Sequence, residues 1–301
     1  MSPSTAFAVD ALVHATPLII AGLAVALAFR AGIWNIGADG QLIAGAAAAA
    51  WVGVSVSPAI GVVALPLALA AGAVAGAVWA AIAAWLRSRF GVLEVISTIM
   101  LNFIATYSVS YLVRGPLQEP THVYPQTSSI VPGAELPALL AGTRLHWGFV
   151  IAVVLSVLVW CVMKYTAYGF RVRASGANPF AAKSAGLISV SRVTTAAFVL
   201  SGAIAGLAGG IEITGVTFAL YENISPGYGY TAIAVALLAG LNPIGVIATG
   251  ILFGGLETAA GTLQRNAGIP ATTASVIEAL VILGVIAVVQ IRSRVQSSVA
   301  S

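Results

Sequence analysis

Nine apolar runs, most of them close to twenty residues long, take up most of this chain. They lie at about 10–29, 37–57, 59–86, 92–113, 147–163, 194–219, 228–242, 243–261 and 272–290. About 20 apolar residues cross the hydrocarbon core of a bilayer as a helix. None of the runs alternates as a half-buried strand does, and an open sheet edge has no hydrogen-bond partners in lipid. The runs therefore predict an all-α membrane protein: a polytopic transmembrane helical bundle of about nine spans, with residues 1–301 as a single domain. Only 7% of the residues are charged, against about 25% in soluble domains, so most of the surface must face lipid or other helices. The run at 228–242 is short and ends at Pro243. It reads as a half-helix or re-entrant piece, which lipid tolerates only when protein surrounds it.

The few charges set the topology. Lys164, Arg171, Arg173, Lys183 and Arg192 crowd the stretch 164–192, which has no acidic residue. Arg87 and Arg89 flank a short break, and Arg292 and Arg294 follow the last run. Lys and Arg concentrate in cytoplasmic loops, which puts these segments and Arg30 inside. The stretch 114–146, with five prolines and mixed charge, then lies outside, as does Met1. The net charge of +4 is explained by topology and does not call for nucleic acid. Before the first run there is no Lys or Arg, so the start does not read as a signal peptide.

Small residues recur at four-residue spacing: Gly72 and Gly76, Gly202 and Gly206, Gly206 and Gly210, Gly250 and Gly254. Such spacing lets helices approach closely, either within one bundle or at a subunit interface. Ionisable groups inside spans are functional candidates. Glu212, Glu257 and Glu278 lie deep in their runs, and no Lys, Arg or His occurs between Thr194 and Leu263. Asp39 pairs structurally with Arg30 or belongs to a pathway. Glu94 falls near the Arg89 end of its run.

Two polar segments interrupt apolar sequence: Gly32-Ile33-Trp34-Asn35-Ile36-Gly37-Ala38-Asp39-Gly40-Gln41 and Glu94-Val95-Ile96-Ser97-Thr98-Ile99-Met100-Leu101-Asn102. The first reads as a plain loop or as a broken helix lining a polar path. Trp34, Asn35, Asp39, Gln41, Glu94 and Asn102 are the candidate pathway residues. Cys161 is the sole cysteine, and His14, His122 and His146 are scattered. No metal site is expected, and the histidines read as interfacial or loop residues. No nucleophile–base constellation is present. Lys183-Ser184 follows Ala182 where a phosphate cradle needs glycine. The chain is therefore read as a transport subunit and not an enzyme.

Both polar segments resemble signatures of ABC-importer permeases of the simple-sugar and branched-chain amino-acid superfamily, its nucleoside (guanosine-type) branch in particular. Gly176-Ala177-Asn178-Pro179-Phe180-Ala181-Ala182 and Leu238-Ala239-Gly240-Leu241-Asn242-Pro243-Ile244-Gly245 fit as well. The resemblance implies a type II importer-like bundle in the bacterial plasma membrane, carrying nucleosides or simple sugars inward. It implies a second, homologous permease, a cytoplasmic ATPase that holds ATP and Mg, and an extracytoplasmic binding protein or lipoprotein. No cofactor is implied in this chain. Arg171, Gly176, Asn178, Pro179 and Ala182 would form the segment that docks into the ATPase. Asn178-Pro179 is also a helix-start signal, so a short surface helix is expected there. The family pattern carries one further N-terminal helix, a departure that matches the odd span count. The competing reading is a proton-coupled secondary transporter built on the three deep glutamates, and a scaffold without a transport cycle is the third.

Overall fold

The computed structural model describes residues 3–57, 63–185 and 189–267, with isolated positions at 61, 276, 279–280 and 283–284. Ten α-helices account for most of this length: α1 (Pro3–Arg30), α2 (Ala38–Ser55), α3 (Ala64–Phe90), α4 (Glu94–Arg114), α5 (Gly148–Tyr165), α6 (Ala167–Ala177), α7 (Pro179–Ser184), α8 (Val190–Glu212), α9 (Tyr228–Leu238) and α10 (Pro243–Ala267). A π-helical turn, Ile213–Thr217, extends α8. Among the described residues there is no β-strand, only two isolated bridges.

Six of these helices are long and apolar enough to cross a bilayer: α1, α3, α4, α5, α8 with its extension, and α10. The expected nine spans are thus not reached among the described residues. Helix α2, with Asp39 and Gln41 near its start, is not in this set. The 11 residues of α9 rise only about 16 Å, half a hydrocarbon core. Glu278 and most of the last apolar run lie outside the described residues.

At the centre stands α1. Leu18, Ile19, Ile20, Ala21, Leu23, Ala24 and Val25 are all fully buried, and a helix that is apolar on every face belongs in the interior. Helices α5, α8, α9 and α10 pack against it, α3 packs on α2 and α8, and α4 packs on α2 and α3. The outer helices turn apolar side chains outward. On α4 these are Ile96, Met100, Phe103, Tyr107 and Tyr111, spaced three or four apart along one face.

The four glycine pairs close inside the chain. A Cβ on Gly76 would lie 2.2 Å from the Gly202 carbonyl oxygen, and one on Gly206 2.3 Å from that of Gly72. Gly250 meets Ile19, and Gly254 meets the backbone of Ala11 and Ala15. Gly45 and Gly209 bring α2 equally close to α8. Backbone contact of this kind gives van der Waals packing that larger residues would prevent.

The segment 114–146 is not a free loop. It lies along the end of α8, where the π-turn and residues 218–220 leave carbonyls open. Leu136 N donates to Thr214 O at 2.7 Å, Ile130 N to Phe218 O at 2.8 Å and Thr127 N to Leu220 O at 2.8 Å. Arg114 clamps Glu222 at 2.6 and 2.8 Å, and Ser110 also donates to it. Hydrogen bonds from Arg114 and Ser110 hold the Glu222 carboxyl down to about 2. At the far end of α4, Glu94 lies 3.5 Å from Arg87, close to the helix end where the sequence placed it.

Candidate translocation site and coupling surface

Between α1 and α2 the chain leaves helical geometry from Ala31 to Gly37. Gly32 starts the break with φ of +79° and lies 3.3 Å from Gly176 Cα at its ideal Cβ position. Only glycine meets both demands cheaply. The chain then runs back into the bundle before α2 begins. Gly40 N donates to Asn102 Oδ1 at 2.9 Å, and Asn102 lies eight residues into α4, about 12 Å from its Glu94 end. The start of α2 is therefore well inside the bundle, as a broken helix requires.

Four of the six candidate pathway residues are buried here. Asn35 and Gln41 exchange side-chain amide hydrogen bonds at 2.9 and 3.0 Å. Asn35 Nδ2 also donates to Ser201 Oγ, which donates in turn to Ala24 O at 2.7 Å. Asn35 Oδ1 accepts from Gly37 N at 3.0 Å. Asn102 Nδ2 reaches Ile36 O and the Tyr230 hydroxyl at 2.9 and 3.0 Å. Asp39 Oδ1 accepts from Ser225 Oγ at 2.7 Å and from Gly229 N at 2.9 Å.

The first turns of α2 and α9 thus meet at Asp39. A helix N-terminus carries unsatisfied N–H groups and a partial positive charge. Inside a bundle no bulk water is there to satisfy them. Asp39, Asn35 and Asn102 supply the acceptors. Arg30 does not pair with Asp39. Its Nε donates instead to Leu241 O at 2.9 Å, at the turn after α9.

Trp34 and Glu94 do not join this network. Trp34 is 58% exposed, with its ring 5.0 Å from that of Phe29. A cleft of about 740 Å³ opens beneath the network, between the Gly32 turn, the end of α3 and the start of α8. Ile33 and Phe198, both essentially fully buried, line its inner end. Phe198 lies one helical turn before Ser201, so this wall of the cleft is next to the polar network.

At the same end lie α6 and α7, which carry the residues expected to dock the ATPase. Asn178 caps α7, its Oδ1 accepting from Phe180 N and Ala181 N at 3.0 Å each, with Pro179 at the first helical position. Both residues suit those positions. Arg171, Asn178 and Ala182 line one groove of about 690 Å³ between the two helices, and Phe180 beside it is 82% exposed. Gly176 does not line this groove. A Cβ there would lie 2.0 Å from Arg30 O, so Gly176 seats α6 on the end of α1 and a bulky residue would disturb the bundle itself.

Residues 7–286 match the family described as the permease component of branched-chain amino acid transport systems. The chain belongs to this family. It is similar to the glucose ABC transporter permease protein TsgB13 of Haloferax volcanii, 42% identical over 91% of this chain and 74% of that protein. The guanosine ABC transporter permease protein NupP of Bacillus subtilis is 38% identical over 89% of this chain and 77% of its own length. The nucleoside ABC transporter permease protein NupB of Lactococcus lactis is 33% identical over 88% and 75%. The permease fold thus accounts for the membrane helices and for the chain's role as a transport subunit.

Ser201, Ser225, Gly229 and Tyr230 escaped sequence reasoning, although each completes the permease's polar network. Ser225-Pro226-Gly227 before a short apolar run was the available signal, since Ser beside Pro and Gly marks a turn and a helix start. Ser201 had no comparable signal, being one small residue among many. His14 of α1 comes within 4.0 Å of Glu257 on α10, a histidine partner that inspection of residues 194–263 alone cannot reveal.

Proposed function

We propose that this permease carries nucleosides, with simple sugars as the next substrate class, through the plasma membrane of a bacterial cell as part of an ABC importer. The meeting of the α2 and α9 N-termini at Asp39, in a chain similar to nucleoside and glucose permeases, carries this reading. Substrate passes beside the Asn35–Gln41–Asn102 network, and Trp34 and Glu94 border the path where a second, homologous permease completes it. Full-length crossing by about nine spans, as in a type II importer, goes with this reading. Cysteines placed at Ser128 and Lys183 then react from opposite sides, and labelling of both from one side overturns the topology.

The ATPase docks on the α6–α7 groove through Arg171, Asn178, Pro179 and Ala182, and ATP with Mg resides on that partner. An extracytoplasmic binding protein or lipoprotein delivers substrate. The experiment is uptake into proteoliposomes that contain the purified complex, with ATP supplied on the ATPase side. ATP-dependent nucleoside uptake supports the proposal. Uptake that ignores ATP and tracks an imposed pH gradient hands the function to the secondary-transporter reading, which the proximity of His14 and Glu257 favours.

A further inference from the structure

A second basic feature lies apart from the docking groove. Arg30 at the end of α1, Lys164 at the end of α5 and Arg173 on α6 converge on a pocket of about 180 Å³, closed by Trp160, Asn242 and Pro243. Three helices each contribute one cation. Among the described residues no Asp or Glu carboxylate lies within ion-pairing distance of any of them. Arg30 and Arg173 both line this one small pocket, so their positive charges share it. Arg30 is held in place by its bond to Leu241 O, which uses Nε and leaves both terminal nitrogens for another acceptor. Like charges gathered in one pocket favour an anion there.

The depth of the pocket says what kind. Lys164 Nζ lies 4.7 Å from the centre of the Trp160 ring and 5.3 Å from that of Tyr165. The two rings meet edge to face at 5.7 Å. Trp and Tyr gather at the level of lipid headgroups, and here they stand at the end of an apolar helix whose next residues are polar and basic. Basic pockets between transmembrane helices on the cytoplasmic side suit phosphate headgroups. Arginine presents a planar fork that fits phosphate oxygens, and lysine adds a point charge.

We infer that the pocket of Arg30, Lys164 and Arg173 binds the phosphate of an anionic phospholipid headgroup, which ties the ends of α1, α5 and α6 together at the membrane surface. A free phosphate shares the same chemistry, so the test must separate the two sources. The full chain, with whatever subunits copurify, is placed in nanodiscs of phosphatidylcholine containing phosphatidylglycerol, and retained lipid is read by native mass spectrometry. Lys164→Gln with Arg173→Gln removes two cations and leaves the Arg30–Leu241 bond. Arg87→Gln with Arg89→Gln serves as the control. Phosphatidylglycerol enrichment should fall about 30-fold in the first variant, the scale expected for two cations near the membrane surface, and several-fold less in the control, whose arginines lie outside the pocket. A second arm measures thermal stabilisation by inorganic phosphate and by phosphatidylglycerol in detergent. Stabilisation by the lipid but not by millimolar phosphate supports the inference. Equal stabilisation by phosphate overturns the lipid source, and unchanged enrichment in the Lys164/Arg173 variant overturns the site.

Discussion

Asp39 and Gly229 meet at 2.9 Å across 190 residues of chain, carboxylate oxygen to backbone N–H. This contact joins the starts of two helices inside the bundle. Asp39→Ala leaves Gly229 N and Ser225 Oγ without their acceptor, at a cost of about 1–3 kcal/mol. Asp39→Asn keeps an oxygen in place and should cost less. Thermal unfolding of both purified variants checks the order. Equal loss in the two would show that charge, and not hydrogen bonding, dominates the junction.

Gly45→Ala should be among the most damaging single-methyl changes in the chain. Its Cβ would lie 2.2 Å from Gly206 O, a backbone atom that cannot turn aside. Overpacking against backbone should cost about 3 kcal/mol or more. Gly255→Ala meets nothing within 4 Å among the described residues and should be close to neutral. The yield of monodisperse protein after membrane extraction separates them.

Asn178→Ala should weaken α7 by about 1 kcal/mol through loss of its cap and leave the membrane helices intact. Under the proposed function, ATP hydrolysis then continues while uptake per ATP falls. The ratio of uptake to hydrolysis in proteoliposomes is the measurement, and an unchanged ratio removes Asn178 from the coupling surface.

Stability should fall as the pH drops from about 6.5 to about 4. His146 is 2% exposed, its ring packs between Gly148 and Gly215, and its Nε2 has no hydrogen-bond partner among the described residues. Burial holds its pKa down to about 4. Across that window the unfolded chain binds a proton that the folded chain refuses, so folding loses on the order of 3 kcal/mol on acidification. His146→Asn does not titrate. It should be less stable at pH 7 yet show a shallower acid slope in unfolding experiments.

The sequence by itself determined that the chain is a helical membrane protein, where most helices lie and that a capped surface helix starts at Asn178-Pro179. These features rest on local physics: run length against bilayer thickness, positive charge at helix ends, and the side-chain preferences of a helix N-terminus. The break at Gly32 and the shortness of the 228–242 run were legible for the same reason. Only the tertiary structure decided partners. It chose Ser225 and Gly229 for Asp39 and a carbonyl for Arg30, set Arg87 against Glu94, and brought His14 to Glu257. It seated Gly176 against the end of α1 and left Trp34 outside the buried network. A polar group in a low-dielectric interior must find its complement. Which complement it finds depends on how helices far apart in the chain cross, and the glycines of α2, α3 and α8 fix that crossing by backbone contact.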